Sequence, residues 1–581
     1  MLHDPRLIPF LRKLSLAALL LLCLPALLLP NNLDLPAPAV FTQAAGGDDA
    51  PSRIVRLERD GTLRVLTPDF HAARDPEVSF DGKRILFAGR RSPGDRWQIF
   101  EMNADGSGVR RITSEPMDCR QPIYQSYFYV ITADEPWQQI SFVGLRPGHE
   151  PALYSTRLDG TALRRLTFNP YGATDPFLML DGRMIFSSRQ SHRLEPGPKD
   201  RAPLFGVNVD GTDYAIYTGN QGAAWKWSPA ATAGGLVVFV ENDQPRPDRA
   251  GWLAAVTVRR PLHSYRRLTK PGDGLYRTPA PLPDGSVLAA RKGPEDGATY
   301  AIVRFDPATG AVREIFDAAG YDDIQPRLLA ARPVPDGRSS VVNEQDPTGI
   351  LYCLNVNVSD LGPGDGWKPG LAKRLRVIEG LPRPAGESGF PPPARRVLGE
   401  IPIEEDGSFN IRVPANIPIQ LQLIDEHGLA LRSCEWIWVK NKEPRGCIGC
   451  HEDGELTPEN RMVQAVTKPS VRLTLPPERR RRVTFERDIL PIFRAKCATA
   501  GCHGPSGPAG LASLAEVRAY VGPTARTSSL VWHLLGWKTS RPWDHPLPGI
   551  RTLERMPPDG GKPLTDLERR LILEWIDLGA E

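Results

Sequence analysis

The chain has 581 residues, 24% of them charged, with a net charge of only +4. At roughly 100–200 residues per domain, that length suits about three domains. The balanced charge, with no basic stripe interleaved with aromatics, gives no reason to invoke a nucleic-acid partner. Abundant proline (59) and glycine (53) favour many short strands and turns over a helical bundle.

The N-terminus reads as a targeting segment, residues 1–39. Arg6, Arg12 and Lys13 precede an apolar run from Leu14 to Leu29, the pattern of a secretory signal. Ala37-Pro38-Ala39 offers a cleavage site. Left uncleaved, the run would serve as an anchor, although it falls short of the roughly 20 residues that span a bilayer. Cys23 follows Leu22 and not a small residue, which argues against a lipoprotein. The expected location is therefore periplasmic or exported, with membrane attachment through the N-terminus only.

From about residue 50 to 360 one pattern recurs. Its clearest copy runs from Asp75-Pro76 through Asp81-Gly82 and Ile85-Leu86-Phe87 to Trp97–Met102, Asp105-Gly106 and Arg110-Arg111-Ile112-Thr113. Further copies carry Asp159-Gly160 with Arg164-Arg165-Leu166-Thr167, Asp181-Gly182 with Asp210-Gly211, and Asp284-Gly285 after Arg266-Arg267-Leu268-Thr269. An Asp-Gly pair suits a tight turn because glycine accepts positive φ. Strand, turn, strand, loop, strand, turn, strand over about 45–55 residues is one four-stranded propeller blade. Ile54–Thr67 supplies only the outer part of a blade, and Asp323–Asn355 looks like a blade lacking its partner. About six blades, closed by strands from both ends, are predicted. The repeats resemble those of the Tol-Pal translocation protein and its relatives.

Residues 361–475 form a middle domain. Its Asp406-Gly407 turn and the alternating Ile417, Ile419, Leu421 and Leu423 predict a small β-sandwich. Arg479–Arg482 mark a linker. In residues 483–581 the period becomes helical, with Phe485–Phe493 as a first helix. Thr565-Asp566-Leu567-Glu568 is a capping box opening a last helix that carries Leu571, Ile572, Trp575 and Ile576. The predicted class is mainly β with a small α domain.

Chemistry concentrates in two cysteine motifs. In Cys447-Ile448-Gly449-Cys450-His451 two thiols three positions apart can each add to a haem vinyl group, and His451 then falls under the iron. A zinc site on Cys447, Cys450 and His451 is the alternative, but a closed structural site needs four ligands and no second cysteine pair lies near in sequence. Cys497-Ala498-Thr499-Ala500-Gly501-Cys502-His503 spaces its cysteines more widely. Its setting is nonetheless that of a small monohaem cytochrome c: helix, Cys/His attachment, Met556-Pro557-Pro558, then a last helix. His503 and Met556 are the expected axial ligands of this second haem c, with His533 and His545 as alternatives; Met556 could equally be core packing. The first haem lacks an obvious second ligand, since Met462 and His427 have no motif support. Glu452, Asp453 and Glu455 flank the first motif as proton-transfer candidates or as solvated acids. Export permits a disulfide among the other cysteines, and Cys353 with Cys434 is a candidate pair. His71, His149 and His192 fall on propeller loops without an assigned role.

Several pieces occur in a set order: Tyr352-Cys353-Leu354-Asn355-Val356, Lys373–Val377, Asp406–Phe409, Val413-Pro414-Ala415, Trp436–Val439 and Gly446–Glu452. Over about residues 50–470 this order resembles the hydrazine synthase α-subunit and related single-chain bacterial proteins. Residues 483–581 resemble the small cytochrome c domains often fused to them. In hydrazine synthase the comparable haem is catalytic and a tyrosine one turn past the motif histidine serves as its ligand; here Glu455 holds that place. The resemblance therefore implies fold, haem attachment and export, and not the reaction itself. The leading expectation is a dihaem c-type cytochrome moving electrons to or from a redox partner protein or a small-molecule substrate. The alternatives are a haem oxidoreductase with an open iron, peroxidase-like or hydrazine-synthase-like, and a propeller interaction scaffold with an accessory cytochrome domain.

Overall fold

The computed structural model describes residues 33–46, 50–130, 135–191, 194, 199–295, 297–360, 367–382, 393–450, 452, 462–498, 502–503, 510–544, 553–558 and 560–581. The expected signal run, Cys23, His192, His545, His451, Asp453 and Glu455 lie outside them. Among the described residues no helix is long and apolar enough to cross a membrane.

Six blades ring one axis. Blade one comprises Ala72–Val78, Arg84–Arg90, Gln98–Asn103 and Arg110–Arg111. Blade two starts with Asp118–Val130, blade three with Thr174–Leu178, blade four with Trp225–Ala231 and blade five with Leu275–Pro281. Blade six is assembled from both ends of the ring: Asp322–Leu328 pairs antiparallel with Ala39–Ala44, followed by Ser52–Leu57 and Leu63–Val65. Gln43 Nε2 fastens this closure by donating to Asp323 Oδ1 at 2.9 Å. Of the region expected to hold an incomplete blade, Asp322–Leu328 closes the ring and Arg338–Ser340 pairs in parallel with the inner strand of blade two, whereas Thr348–Cys353 enters the middle domain.

Two sequence signals explain the blades. In the Asp-Gly turns the aspartate carboxylate accepts the backbone N–H two residues on, as Asp159 does for Thr161 at 2.9 Å, while glycine takes positive φ. At Gly160 a side chain is also sterically barred, because a Cβ would stand 2.4 Å from the Ile112 carbonyl of the neighbouring blade. In five of the six blades a threonine just past the outer strand accepts an N–H of the strand beside it: Thr67, Thr113, Thr167, Thr218 and Thr269 do so at 2.9 Å.

The innermost strands share a further device. Asp75, Gln121, Asp175, Ser228, Thr278 and Gln325 all adopt φ between 47° and 59°, each directly before a proline. A bulge at this point bends every inner strand. These residues line a narrow axial cavity of about 60 Å³. Side chains close much of it: Gln121 Nε2 donates to Asp175 at 2.8 Å, Arg120 to Asp75 at 2.8 Å, and Gln325 to Asp75.

The middle domain is a sandwich of two four-stranded sheets. One orders Pro444–Cys447, Thr348–Cys353, Phe409–Pro414 and Val471–Arg472; the other orders Arg395–Pro402, Arg374–Gly380, Ile419–Ile424 and Ala430–Ser433. The C-terminal module contains α1 (Leu490–Lys496), α2 (Leu514–Arg518), α3 (Ser529–Leu535) and α4 (Asp566–Asp577). The capping box at Thr565 and Glu568 forms as the sequence predicts. Phe485, in a wider turn just before α1, packs on Trp575 of α4 with ring centroids 5.6 Å apart.

The sandwich meets its neighbours through two unlike seams. Towards the propeller, Trp438 packs at a tilt against Tyr214 with ring centroids 4.1 Å apart and donates to the Gly211 carbonyl at 2.9 Å. Glu443 accepts the Asp213 N–H at 2.8 Å, and one buried ion pair, Arg201–Glu435, crosses the seam. Towards the C-terminal module Trp436 joins the apolar core around Phe485 and Trp575, but the polar contacts are charged. Arg376, 2% exposed, pairs with Glu400 at 2.7 Å and faces Glu574 at 3.7 Å and Asp577 at 3.9 Å. Arg481–Glu574 (2.7 Å) and Arg526–Asp425 (3.4 Å) extend this network.

Candidate cofactor-attachment sites

The first motif leaves the sandwich at the end of Pro444–Cys447. That strand runs parallel to Thr348–Cys353, which sets Cys447 directly opposite Cys353. The turn that follows is held from two sides. Val358 accepts the Cys450 N–H at 2.7 Å, and Glu452 accepts the Ile448 N–H at 2.8 Å. Gly449 is required here, because a Cβ would stand 2.3 Å from the Val358 carbonyl. Cys447 and Cys450 are unbridged and partly exposed.

The surroundings disfavour a thiolate at Cys447. Burial pushes the Cys447 thiol up, opposed by the nearby Arg445 guanidinium. Burial raises Cys353 well above the ordinary thiol range, reinforced by Cys450 and Cys447. Arg445 is fixed beneath the strand, donating to the Trp438 carbonyl at 3.1 Å and to that of Tyr214. Burial likewise raises the Glu452 carboxyl, whose acceptors hold the turn. Glu452 is thus a clamp on the loop, a role the sequence reading did not assign.

The candidate disulfide is not formed. Cys353 and Cys434 are both free, and Cys353 faces Cys447 across the sheet. Cys434 accepts the Leu421 N–H at 3.1 Å. His427 does not serve the first site from where it stands: it lies on the turn before Ala430–Ser433, its ring 5.1 Å from Trp537 of the C-terminal module. Met462 is 77% exposed.

The second motif follows α1. Cys497 caps that helix, its N–H bonded to the Phe493 carbonyl at 2.8 Å, and burial pushes its thiol up to about 11. The His503 N–H returns to the Cys497 carbonyl at 3.1 Å, which closes the wide loop upon itself. Cys502 is exposed and both cysteines are unbridged. Met556 stands beside α3, its N–H bonded to the His533 carbonyl at 2.8 Å, while His533 Nδ1 meets the Glu554 carbonyl at 2.6 Å. His533 is therefore engaged with the backbone of the methionine loop.

Fold and site together define a class: a six-bladed propeller joined to a β-sandwich that presents a Cys-x-x-Cys turn, with a small helical module behind it. Comparison with known proteins narrows this. Residues 370–452, which include the first motif, match the family described as hydrazine synthase alpha subunit middle domain. The chain is 27% identical to hydrazine synthase subunit alpha of Kuenenia stuttgartiensis over 724 aligned positions, covering 91% of this chain and 88% of that one. The solved Kuenenia stuttgartiensis hydrazine synthase has the same fold, with a TM-score of 0.75 at 23% identity and 95% coverage of both chains. TolB from Acinetobacter baumannii is 14% identical and covers 50% of this chain and 66% of its own, with a TM-score of 0.38. The chain is thus similar to the hydrazine synthase alpha subunit along nearly its whole length.

Proposed function

We propose that this protein is an exported c-type cytochrome with two covalently attached haems, passing electrons between them and a redox partner protein or a small-molecule substrate. The observation that carries the reading is the Cys447–Cys450 turn. It stands at the end of the segment matching the hydrazine synthase alpha middle domain, and Val358 and Glu452 hold its backbone in shape. The residues fit the group: two unbridged, part-exposed thiols can become thioethers without unpairing any backbone group of the loop. Cys497 and Cys502 offer a second pair, also unbridged. Bound at these positions, haem would supply one-electron chemistry at iron, and His451, His503 and Met556 are the residues that would hold the irons.

In this reading the chain's own residues fix geometry. Glu452 and Val358 hold the first turn, Arg445 ties it to the propeller, and the α1 cap presents Cys497. Production with c-type haem maturation followed by a pyridine haemochrome assay should return two covalent haems per chain. Cys447→Ser with Cys450→Ser should remove one, and Cys497→Ser with Cys502→Ser the other. A chain carrying no covalent haem sinks the proposal. N-terminal sequencing of the periplasmic fraction tests export.

A second reading is favoured by the similarity to a synthase subunit along nearly the whole chain: a haem oxidoreductase whose first iron keeps an open position. A carbon monoxide difference spectrum of the reduced protein separates the two. A Soret shift that survives loss of the second cysteine pair supports catalysis, and no shift supports electron transfer alone.

A further inference from the structure

Ala37-Pro38-Ala39 is the one small-x-small triplet between the apolar run and the propeller, and so the place where a leader would be cut. The fold stands against that cut. Ala39 opens the strand Ala39–Ala44 and is already paired with Leu57 on one side and Leu328 on the other. Val40 follows it in the same ladder and is 0% exposed. Hydrolysis between them would place a new α-ammonium on a buried residue inside blade six. An unpaired buried charge is among the costliest defects a fold can carry.

The residues ahead of the bond are built into the ring as well. Leu35 is 3% exposed and packs in one apolar core with Phe41, Leu57, Leu282 and Leu288. The Pro38 carbonyl accepts the Leu329 N–H at 2.7 Å, and the Arg59 carbonyl accepts that of Leu33 at 2.7 Å. Asp34 accepts from Arg304 at 2.8 Å and pairs with Arg313 at 3.2 Å. All of these contacts would leave with the leader.

Keeping them keeps the apolar run close. Leu29 stands four peptide steps before Leu33, a reach of no more than about 14 Å. Arg6, Arg12 and Lys13 precede the run, and no Lys or Arg follows it before Arg53. That asymmetry holds the N-terminus on the cytoplasmic side. Beside Leu33 the rim of blades five and six carries the exposed Arg59 and Arg313, guanidinium groups suited to lipid phosphates.

We propose that the Ala39–Val40 bond stays intact, that the apolar run is kept as a membrane anchor, and that the rim around Leu33 lies on the phospholipid surface. The run is a few residues short of a full span, a mismatch met by snorkelling of the flanking Arg12 and Lys13. The proposal rests on the export reading only for the side of the membrane on which the propeller stands.

The test follows the full-length chain, tagged at its C-terminus and produced with c-type haem maturation, in spheroplasts. The chain should pellet with the membranes, withstand a carbonate wash and leave with detergent. Its intact mass should include residues ahead of Leu33, and protease added outside should reach it. A soluble chain beginning at Val40, or any chain lacking the apolar run, overturns the proposal and leaves export standing. A carbonate-resistant chain shielded from protease supports the anchor and sinks export instead. A second comparison joins a foreign cleavable leader ahead of Leu33 or ahead of Val40. The Val40 start should lower the midpoint of thermal unfolding by several degrees, and equal midpoints would overturn the argument from the fold.

Discussion

The sandwich is held on its two sides by different physics. Its propeller seam rests on tilted aromatic contacts and hydrogen bonds to backbone carbonyls, with the buried Arg201–Glu435 ion pair beside them. Its C-terminal seam places arginines against buried carboxylates around a shared apolar core. An aromatic, hydrogen-bonded contact such as that of Trp438 responds little to salt or pH. A buried charge network responds to both, and losing one member leaves the others uncompensated. The first cofactor turn is tied to the propeller seam through Arg445 and Trp438, whereas the second module is attached through the arginine–carboxylate network.

The largest test of that contrast is Arg376→Met. It strands Glu400, Glu574 and Asp577 without their shared cation and should cost about 3–5 kcal/mol. The C-terminal module should loosen selectively, seen as faster tryptic cleavage at Arg479–Arg482 while the propeller stays resistant. Trp438→Phe keeps the ring but orphans the Gly211 carbonyl, and should cost about 1–3 kcal/mol in thermal unfolding, independent of salt. Equal salt sensitivity of the two variants would erase the distinction between the seams.

The pH dependence sharpens it further. Burial raises the Asp577 carboxyl, outweighing Arg376. The folded protein therefore holds that proton more tightly than the unfolded chain. Its contribution is fully present below the ordinary carboxylate value and is lost as pH rises through the raised one. The stability of the unaltered protein minus that of Asp577→Asn should fall as pH rises from acid towards neutrality. A difference that rises instead would show that Arg376 dominates. The smallest effect is expected at the clamp: Glu452→Ala unpairs the first turn at a cost of about 1–2 kcal/mol, lowering haem occupancy there and not at the second site.

Much of this architecture was legible beforehand. The Asp-Gly turns and the terminal threonines act locally, through hydrogen bonds within a few residues or to the next strand, so each repeat announces its own blade. The half-repeats at either end likewise implied a ring closed by distant strands. The sandwich showed its Asp406-Gly407 turn and its period of two, but not its reach back to Thr348. A lone strand that changes partner leaves no periodic mark. The placement of Cys353 against Cys447 was hidden for a related reason: a parallel pairing between segments about a hundred residues apart has no local signature. Arg376 reads in sequence as one basic residue in an alternating strand, and only the docking of α4 makes it a buried hub. The role of Glu452 as a clamp follows from a loop shape that spacing alone does not express.

The join between Asp322–Leu328 and Ala39–Ala44 links residues some 280 positions apart. Closing so long a loop is an entropic burden that grows with its length, and no contact relieves it until both strands exist. In a chain made from its N-terminus, the strand that opens the ring is finished first and waits longest, an unpaired edge through the making of five blades. The propeller thus assembles like a purse whose clasp is sewn on before the bag is cut. Its last act of folding is to find the piece it began with, and until then its earliest strand is the part most open to pairing with a stranger.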